Sequence, residues 1–452
     1  MKIIVNGCGK IGTTILASLV SEGHDVTAID TNPDVIEKLT NIYDIIGVCG
    51  NGADSDVLLE VNAASYDLII STTQSDEINM LTCFFAKRLG IEHTVARIRN
   101  PEYNDKSLNF LKSELEISLI INPELMAAHE LFNVLKLPSA AKIETFSVRN
   151  FEVVEFKIKE DSVLDGLKIY ELRNKFKAKF LICAVQRGEE AYIPSGGFEL
   201  KAGDKIGVTA TASEIIHLFS ELGMRKTSAK KVMILGGSKT AVYLAKQLCS
   251  VGNNVTLIEK DRQKCEELVE DLPKALIVCG DGSSQEVLIE EGLASVDAAI
   301  ALTGLDELNI LISSYASSQK VPKVIAKINR QELVPLAEHW GLDTIVSPRK
   351  TISNTIVRYA RAIENSQGSS VETLYKLMDD KVEALEFIAK PDLEILDIQF
   401  KDLKLKSNIL IAGIVRDRKI IIPSGVDMIT AGDKVIVFAA NHRINDLSDI
   451  AR

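Results

Sequence analysis

The amino-acid sequence predicts an α/β protein in which a doubly wound parallel sheet occurs twice, each copy followed by a small α+β domain. Three observations lead to this prediction. The 452-residue chain repeats itself over nearly its whole length. In the first part of each half, short apolar runs alternate with helical segments, which is typical of parallel sheets covered by helices. A glycine turn follows the first apolar run of both halves and precedes a helical pattern.

The internal repeat covers both parts of each half. The two halves are offset by 229 residues at their start, as Gly7 and Gly236 show, and the offset changes by one residue farther along. The aligned pairs are Gly7 and Gly236, Asp30 and Glu259, 50–52 and 280–282, Asn79 and Asn309, and 193–196 and 422–425. The chain is therefore a duplication of one two-part unit.

The predicted elements of the first half follow the apolar runs. We expect strands near 2–6, 25–29, 45–49, 67–71, 93–98 and 117–121, and helices that begin near 10, 33, 54, 76, 101 and 123. The second part of each half has β-branched runs, turn signals and then a closing helix, which indicates a small α+β domain. The predicted domains are 1–138, 139–225, 229–365 and 370–452.

Composition narrows the class of protein. The net charge of −11 argues against nucleic acid as a partner, because an acidic surface repels phosphate backbones. Seven cysteines form no C-x-x-C pair, so they are interpreted as small buried hydrophobes in a reducing compartment rather than as disulfides or zinc ligands. The N-terminal residues lack a signal-peptide pattern, and no stretch is apolar enough to span a membrane. We expect a cytoplasmic protein.

The first glycine turn has the pattern of a dinucleotide-binding loop. It consists of Gly7, Cys8, Gly9, Lys10, Ile11 and Gly12. The first glycine permits a tight turn, the second lets backbone N–H groups approach a pyrophosphate, and the third allows close helix–strand packing. Asp30 ends the next strand, where a carboxylate accepts from ribose hydroxyls and repels a 2′-phosphate, which favours NAD or an adenine nucleotide over NADP. The alternative is a glycine turn with a purely structural role.

The second glycine turn departs from that pattern. It consists of Gly236, Gly237, Ser238, Lys239, Thr240 and Ala241, so serine and alanine replace the last two glycines. Glu259 retains the acidic position at the end of the next strand. The Ser238 side chain either crowds a pyrophosphate or donates its hydroxyl to it. This half is therefore either a second nucleotide site or a vestigial pocket that is kept for packing.

Other candidates lie where the parallel strands end, the edge at which such sheets bind ligands. Residues after the third and fourth strands, most of them polar, border an adenine and ribose, or else simply end strands and cap helices. These candidates are Asp54, Thr72, Thr73, Asp281, Leu302 and Thr303. Four cations recur in matched pairs near the expected phosphates, Lys10 with Lys239 and Arg97 with Lys327. Their recurrence favours phosphate contacts over solvated surface charge.

The sequence does not support catalysis. Six scattered histidines form no pair with metal-ligand spacing, so no metal site is expected, and there is no nucleophile elbow. An NAD-dependent oxidoreductase is the main alternative, because the predicted fold suits one. The small second domains and the lack of an evident acid or base beside the nicotinamide position argue against it. A nucleotide-responsive transcription factor is disfavoured by the acidity and the lack of a basic recognition helix.

With these motifs in order, the chain resembles the TrkA family, the regulatory subunits of Trk potassium-uptake systems. Its halves look like the RCK (KTN) domains of potassium channels and transporters, each a Rossmann-like domain followed by a small RCK C-terminal domain. The resemblance covers nearly the whole chain. It rests on the two glycine loops and on segments 50–54 and 96–103. It also rests on two signatures that occur once in each half, Pro-Ser-Gly at 194–196 and 423–425 and Gly-Asp-Lys at 203–205 and 432–434.

The resemblance implies a non-enzymatic protein at the inner face of the cell membrane. Such proteins assemble as a ring, a dimer or tetramer, beneath a potassium-translocating membrane subunit. They bind NAD(H), ATP or ADP, and ligand occupancy changes the shape of the ring. By this analogy the loop from Gly7 to Gly12, with Asp30, Thr72, Thr73 and Arg97, holds one nucleotide. The loop from Gly236 to Ala241, with Glu259 and Thr303, holds another, although its lost glycines put that ligand in doubt.

Overall fold

Each half opens on a six-stranded parallel sheet. The computed structural model of the chain describes residues 1–100, 103, 105–137, 139–146, 151–224, 228–366, 371–417, 419–442, 444 and 446–451. In the first half the strands are β1 (Lys2–Asn6), β2 (Asp25–Asp30), β3 (Ile46–Cys49), β4 (Leu68–Ser71), β5 (His93–Arg97) and β6 (Leu119–Ile121). The helices are α1 (Lys10–Ser21), α2 (Pro33–Ile42), α3 (Ser55–Glu60), α4 (Asp76–Arg88), α5 (Asp105–Glu114) and α6 (Pro123–Lys136).

The strand order of this sheet is β3-β2-β1-β4-β5-β6, and all neighbours pair in parallel. The chain direction across the sheet therefore reverses between β1 and β4, which makes the carboxyl ends of these two strands the expected ligand-binding edge. The central strands β1 and β4 are buried along nearly their whole length, as expected for a sheet with helices on both faces. The predicted helix start near 101 falls partly outside the described residues, and the described helix begins at Asp105.

An antiparallel sheet follows. Its elements are β7 (Lys142–Thr145), β8 (Phe151–Lys157), α7 (Ile169–Lys175), β9 (Leu181–Arg187), β10 (Glu190–Tyr192), β11 (Lys205–Thr211) and α8 (Ala212–Glu221). The strand order is β10-β9-β11-β8-β7. One face packs on α8, where Phe219 meets Phe156 edge-on at 5.1 Å between ring centroids.

The second half repeats this order. Its parallel sheet contains β12 (Lys231–Leu235), β13 (Asn254–Glu259), β14 (Leu276–Cys279), β15 (Ala298–Ala301), β16 (Lys323–Lys327) and β17 (Ile345–Val346), in the order β14-β13-β12-β15-β16-β17. Its helices are α9 (Lys239–Ser250), α10 (Arg262–Asp271), α11 (Gln285–Glu290), α12 (Asp306–Ser318), α13 (Val334–His339) and α14 (Pro348–Ser366). The second antiparallel sheet contains β18 (Val371–Leu377), β19 (Val382–Ile388), β20 (Ile409–Arg416), β21 (Lys419–Ile421) and β22 (Lys434–Ala440).

The predicted fold class is confirmed, with one correction. The closing helix expected in both small domains is present as α8 in the first, but the described residues of the second end on a single 3-10 turn, Leu447–Ile450. That segment offers few apolar residues with helical spacing, and the Asp446 side chain caps the turn at once by accepting from the Ser448 N–H.

The chain divides into two compact units that do not coincide with the two halves of the repeat. The first unit contains Met1–Ala127 together with Ser347–Ala360, which belongs to α14 and the residue before it. Within this unit the Ser353 hydroxyl lies 2.7 Å from that of Ser18 on α1. The second unit contains Ala128–Val346 and Arg361–Arg452. Its two antiparallel sheets share one apolar cluster, in which Phe146 contacts Tyr375 and Phe438.

Candidate functional site

The glycine turn of the first half lies between the ends of β1 and β4. Gly7 adopts φ +83°, and its N–H donates to the Ile29 carbonyl at 2.9 Å. A Cβ on residue 7 would lie 2.6 Å from the backbone nitrogen of Thr73, so both the conformation and the close approach require glycine. The Thr72 hydroxyl donates to the Gly7 carbonyl at 2.8 Å, which fixes the turn against the end of β4.

Gly9 and Gly12 have different roles in the turn. A Cβ on Gly12 would lie 2.0 Å from the Gly7 carbonyl oxygen, so Gly12 serves helix–loop packing. Among the residues that the structure describes, nothing lies within 4 Å of a Cβ on Gly9, the N-cap residue of α1, and no side chain caps the first N–H groups of the helix. Open space and uncapped N–H groups at a helix start suit a phosphate. Lys10 is exposed beside it, whereas Cys8 is buried and Ile11 half-buried.

The Asp30 carboxylate is held in place by two backbone N–H groups. One oxygen accepts from Cys8 N–H at 2.7 Å, and the other accepts from Asn32 N–H at 2.9 Å. A carboxylate oxygen can accept more than one hydrogen bond, so both Asp30 oxygens retain capacity for a further donor. A fixed carboxylate with that capacity, one strand away from the glycine turn, is suited to ribose hydroxyls.

A buried amide that the sequence did not single out as a site residue connects Thr73 with Arg97. The side-chain oxygen of Asn79 accepts from the Thr73 N–H at 2.8 Å and its hydroxyl at 2.7 Å. The Asn79 amide nitrogen donates to the Arg97 carbonyl at 2.8 Å. Asn309 makes the matching bonds to Thr303 and to the Lys327 carbonyl in the second half. The recurrence of this asparagine at matching positions of the two halves is the sequence feature that could have indicated its role.

A second residue missed as a site candidate is the buried acid at the start of α4. The Asp76 carboxylate accepts from the N–H groups of Arg99 and Asn100, both at 2.8 Å. In the second half, Asp306 accepts from Arg330 N–H at 2.9 Å and from Asn329 N–H at 3.0 Å. These acids hold the loops that follow β5 and β16 at the carboxyl edge of each sheet.

Arg97 is a buried cation at the end of β5. Its guanidinium lies 3.8 Å from the Glu124 carboxylate, and its Nε has no hydrogen-bond partner among the residues that the structure describes. Burial lowers the pKa of Arg97, and the neighbouring Arg99 charge lowers it further. A buried guanidinium N–H without a partner is costly, so an anion at this edge of the sheet would stabilise it.

The second glycine turn keeps the conformation but not the open space. Gly236 adopts φ +97°, and its N–H donates to the Ile258 carbonyl at 2.8 Å. The Ser238 side chain caps α9 by accepting from the Ala241 N–H at 3.4 Å, so it occupies the helix start that Gly9 leaves open. Lys239 is exposed, and Thr240 and Ala241 are buried.

Glu259 is more fully engaged than Asp30. Its carboxylate accepts from the N–H groups of Gly237, Lys260 and Asp261 at 2.8–3.1 Å. The Lys264 ammonium lies 3.2 Å from it. Burial alone would raise the pKa of the Glu259 carboxyl, but these N–H groups and Lys264 outweigh that effect, and the pKa is lowered. Val35 stands at the position of Lys264 in the first half, so Asp30 has no such competitor.

The remaining candidates make local contacts. The Asp54 carboxylate caps α3 by accepting from the Asp56 N–H at 2.9 Å, which agrees with the capping interpretation. The hydroxyl and N–H of Ser283 bind Asp281 and lower the pKa of its carboxyl. Leu302 is buried, and its carbonyl accepts from the Lys327 ammonium at 3.3 Å.

Two further findings concern the described residues as a set. No group of three or more His, Cys, Asp or Glu side chains in the described ranges is placed to hold a metal ion. No helix within those ranges combines the length and apolarity that a membrane crossing needs.

Comparison with known proteins identifies each part of the repeat. The TrkA-N domain family matches residues 3–123 and 232–348, and the TrkA-C domain family matches residues 153–223 and 385–452. The chain is 30% identical to the Trk system potassium uptake protein TrkA homolog 2 of Methanosarcina mazei, with 100% of both chains covered. It is also 30% identical to the TrkA homolog of Archaeoglobus fulgidus, again with 100% of both chains covered.

Solved structures share the fold at low identity. The GsuK RCK domain superposes with a TM-score of 0.63 at 16% identity, covering 97% of this chain and 92% of that one. The GsuK channel bound to NAD gives 0.62 at 16% identity, covering 97% and 77%. GsuK bound to ADP gives 0.50 at 15% identity, covering 81% and 69%.

Proposed function

The chain belongs to the TrkA family of Trk potassium-uptake proteins, and from that membership we propose that it is a nucleotide-binding regulatory subunit that gates a membrane potassium transporter. The observation that carries the proposal is the fixed Asp30 carboxylate beside the open glycine turn. Two of the structures with this fold are described as bound to NAD and to ADP. We take NAD(H), ATP or ADP as the ligand class.

The residues of the first half fit such a ligand. Asp30 retains acceptor capacity for ribose hydroxyls, and the space beside Gly9 admits a pyrophosphate to the N–H groups that begin α1. Arg97 supplies a buried positive charge whose Nε–H has no partner within the described ranges. These groups bind and orient a phosphate-bearing ligand. The proposed role needs no proton or hydride transfer.

The second half is proposed as the weaker site. The Lys264 ammonium competes for the Glu259 carboxylate that would otherwise accept from a ribose. The Ser238 side chain also occupies the start of α9. A ligand there must displace one or both contacts, so we expect the two sites to differ in affinity or in ligand.

Regulation requires that the ligand bind two conformations of the protein unequally. Coupling free energies between sites are typically about 1–3 kcal/mol. A phosphate that contacts Arg97 or the exposed Lys10 in one conformation only would supply such a difference. We propose that the coupled state is a ring of two or four chains, at the cytoplasmic face of the membrane, against a potassium-translocating Trk-type subunit. The proposed domains are 1–138, 139–225, 229–365 and 370–452.

Nucleotide titration of the purified full chain tests the binding step. The variants are Asp30→Ala and Gly9→Asp, with Asp25→Ala as the matched control, because exposed Asp25 begins the same strand at the opposite edge of the sheet. Calorimetry with NADH, ATP and ADP should show binding that both site variants weaken at least tenfold and that the control leaves unchanged. The absorbance of NADH should stay constant over the titration.

Potassium flux tests the regulatory step. Cells that carry the cognate membrane subunit should lose nucleotide-dependent control of uptake with Asp30→Ala and Gly9→Asp but not with Asp25→Ala. Unchanged control in both site variants, or absence of any adenine-nucleotide binding by the wild-type chain, would refute the proposal.

A further inference from the structure

Two of the seven cysteines meet beside the second glycine turn. Cys265 lies in the first turn of α10, and Cys279 ends β14. Glu259 and Cys279 are register partners on neighbouring parallel strands. The Cys265 thiol donates to the Glu259 carbonyl at 3.2 Å and lies within interaction distance of the Cys279 thiol. The chain thus brings two thiols 14 positions apart in the sequence to one point at the carboxyl edge of the sheet.

The two thiols differ in exposure. Cys279 is exposed, whereas Cys265 is 6% exposed. Burial raises the pKa of Cys265, and the thiol contact with Cys279 and the charges of Glu259 and Asp261 raise it further, to about 11. Thiol–disulfide exchange proceeds by attack of a thiolate on a disulfide sulfur, so the accessible Cys279 thiol should react first and the neighbouring Cys265 thiol should resolve the product, slowed by its raised pKa but favoured by its position.

We infer that Cys265 and Cys279 form a reversible disulfide when the chain meets an oxidised low-molecular-weight disulfide, and that this pair is a redox modification site at the edge of the second sheet. The Cys279 thiolate attacks the small disulfide, forms a mixed disulfide and releases one small thiolate. The Cys265 thiolate then attacks the Cys279 sulfur and displaces the second small thiolate. One small disulfide is reduced to two thiols, and two protein thiols are oxidised to one disulfide.

The first half supplies the matched control within the same chain. Asp30 and Cys49 are register partners, as Glu259 and Cys279 are. Cys49 is also exposed. The residue that corresponds to Cys265, however, is Ile36, the fourth residue of α2 as Cys265 is of α10. Cys49 therefore has the accessibility of Cys279 without a resolving thiol, and it should stop at the mixed disulfide.

The experiment uses the folded full chain and oxidised glutathione as the probe. After reaction at pH 8, the protein is alkylated, denatured, digested with trypsin and analysed by mass spectrometry without reduction. Trypsin cleaves after Lys264, Lys274 and Lys320, so Cys265 and Cys279 fall in separate peptides, 265–274 and 275–320. We expect these two peptides to be joined, with no glutathione on Cys279, and glutathione to remain on Cys49.

Three variants complete the test. Cys279→Ser should abolish the joined peptides, whereas Cys49→Ser should leave them unchanged. Cys265→Ala should leave stable glutathione on Cys279. Both Cys49 and Cys279 are exposed, so substitution to serine at either position should not disturb the core. Stable glutathione on wild-type Cys279, or free thiols at both positions after Cys49 has reacted, would overturn the inference.

Discussion

A Cβ atom on Gly12 would lie 2.0 Å from the carbonyl oxygen of Gly7, so the first turn of α1 and the loop before it meet backbone to backbone. In the second half, Ala241 occupies the matching position and is fully buried. The two turns share a sequence alignment and a strand order, but they do not share this contact. The difference has a measurable consequence for stability.

Gly12→Ala should destabilise the protein by about 1–3 kcal/mol, because the added methyl group forces the helix away from the loop. Gly9→Ala is the control, since nothing lies near its Cβ and its φ of −66° suits any residue. Chemical denaturation should show a clear loss for Gly12→Ala and a change within about 0.5 kcal/mol for Gly9→Ala. Equal effects would contradict the separate roles of the two glycines.

Lys264→Ala should strengthen nucleotide binding at the second site. Removal of the ammonium releases a Glu259 oxygen for a ribose hydroxyl. Because a partly exposed ion pair is worth about 0.2–1 kcal/mol, the gain in affinity should be about 1.4- to five-fold. Calorimetry in an Asp30→Ala background isolates the second site, and Arg262→Ala, on the exposed start of the same helix, is the control. Weaker binding by Lys264→Ala would show that the lysine contacts the ligand instead.

Asp433→Asn should cost about 1.5–3 kcal/mol, because the buried carboxylate holds Arg416 through two hydrogen bonds of 2.8 and 2.7 Å. Burial raises the pKa of Asp433, but Arg416 and the Thr430 N–H outweigh it, and the pKa is lowered. The stability that the charge contributes is therefore present above the unfolded pKa of about 3.9 and lost as pH falls through the lower folded value.

Unfolding titrations of wild type and Asp433→Asn should accordingly converge below about pH 4. Asp392→Asn, at an exposed position of the same domain, should follow wild type throughout. A constant difference between wild type and Asp433→Asn from neutral pH to the acid limit would show that packing rather than charge causes the loss.

The contribution of Lys323 to the free energy of unfolding should increase as pH rises from about 7 to 10. Burial lowers the pKa of its ammonium to about 7, against a smaller opposite effect of Asp343. Its nitrogen contacts the Ala140 carbonyl and the Thr344 hydroxyl, both at 2.6 Å, so a neutral amine with two N–H donors is satisfied there. In this pH range the unfolded lysine, with a pKa of about 10.4, binds more protons than the folded one.

The measurement is the free energy of unfolding of wild type minus that of Lys323→Met. This difference should change in favour of wild type between pH 7 and 10. Lys320→Met, an exposed lysine that precedes the same strand, is the control and should show no such trend. A difference that is flat with pH would mean that Lys323 keeps its charge inside the fold.

Local patterns sufficed for the parallel sheets and for the residues that shape the turns. Apolar runs bounded by glycine predicted β1, and the following helical pattern predicted the start of α1 at Lys10. The tight turn at Gly7 also follows from the glycine motif, which spans six residues. Such features depend on contacts that are close in sequence or fixed by strand order.

Long-range polar contacts were not predictable in the same way. The sequence aligns Asn79 with Asn309 but gives it no role, whereas the structure buries it and bonds it to Thr73 and to the Arg97 carbonyl. The Gly-Asp-Lys signature is visible in the sequence as a repeat, but its role depends on Arg416, which ends the neighbouring strand β20 and donates to the Asp433 carboxylate. The pairing of Lys264 with Glu259 depends on a side-chain direction that spacing alone does not give.

The segment Ser347–Ala360 comes from the second half of the repeat but belongs to the first compact unit. A chain that contains only the first half therefore lacks part of that unit. A fragment that ends at residue 225 leaves the Ser18 side of α1 without the hydroxyl of Ser353. The first compact unit is therefore completed only by a segment that the second half of the repeat supplies.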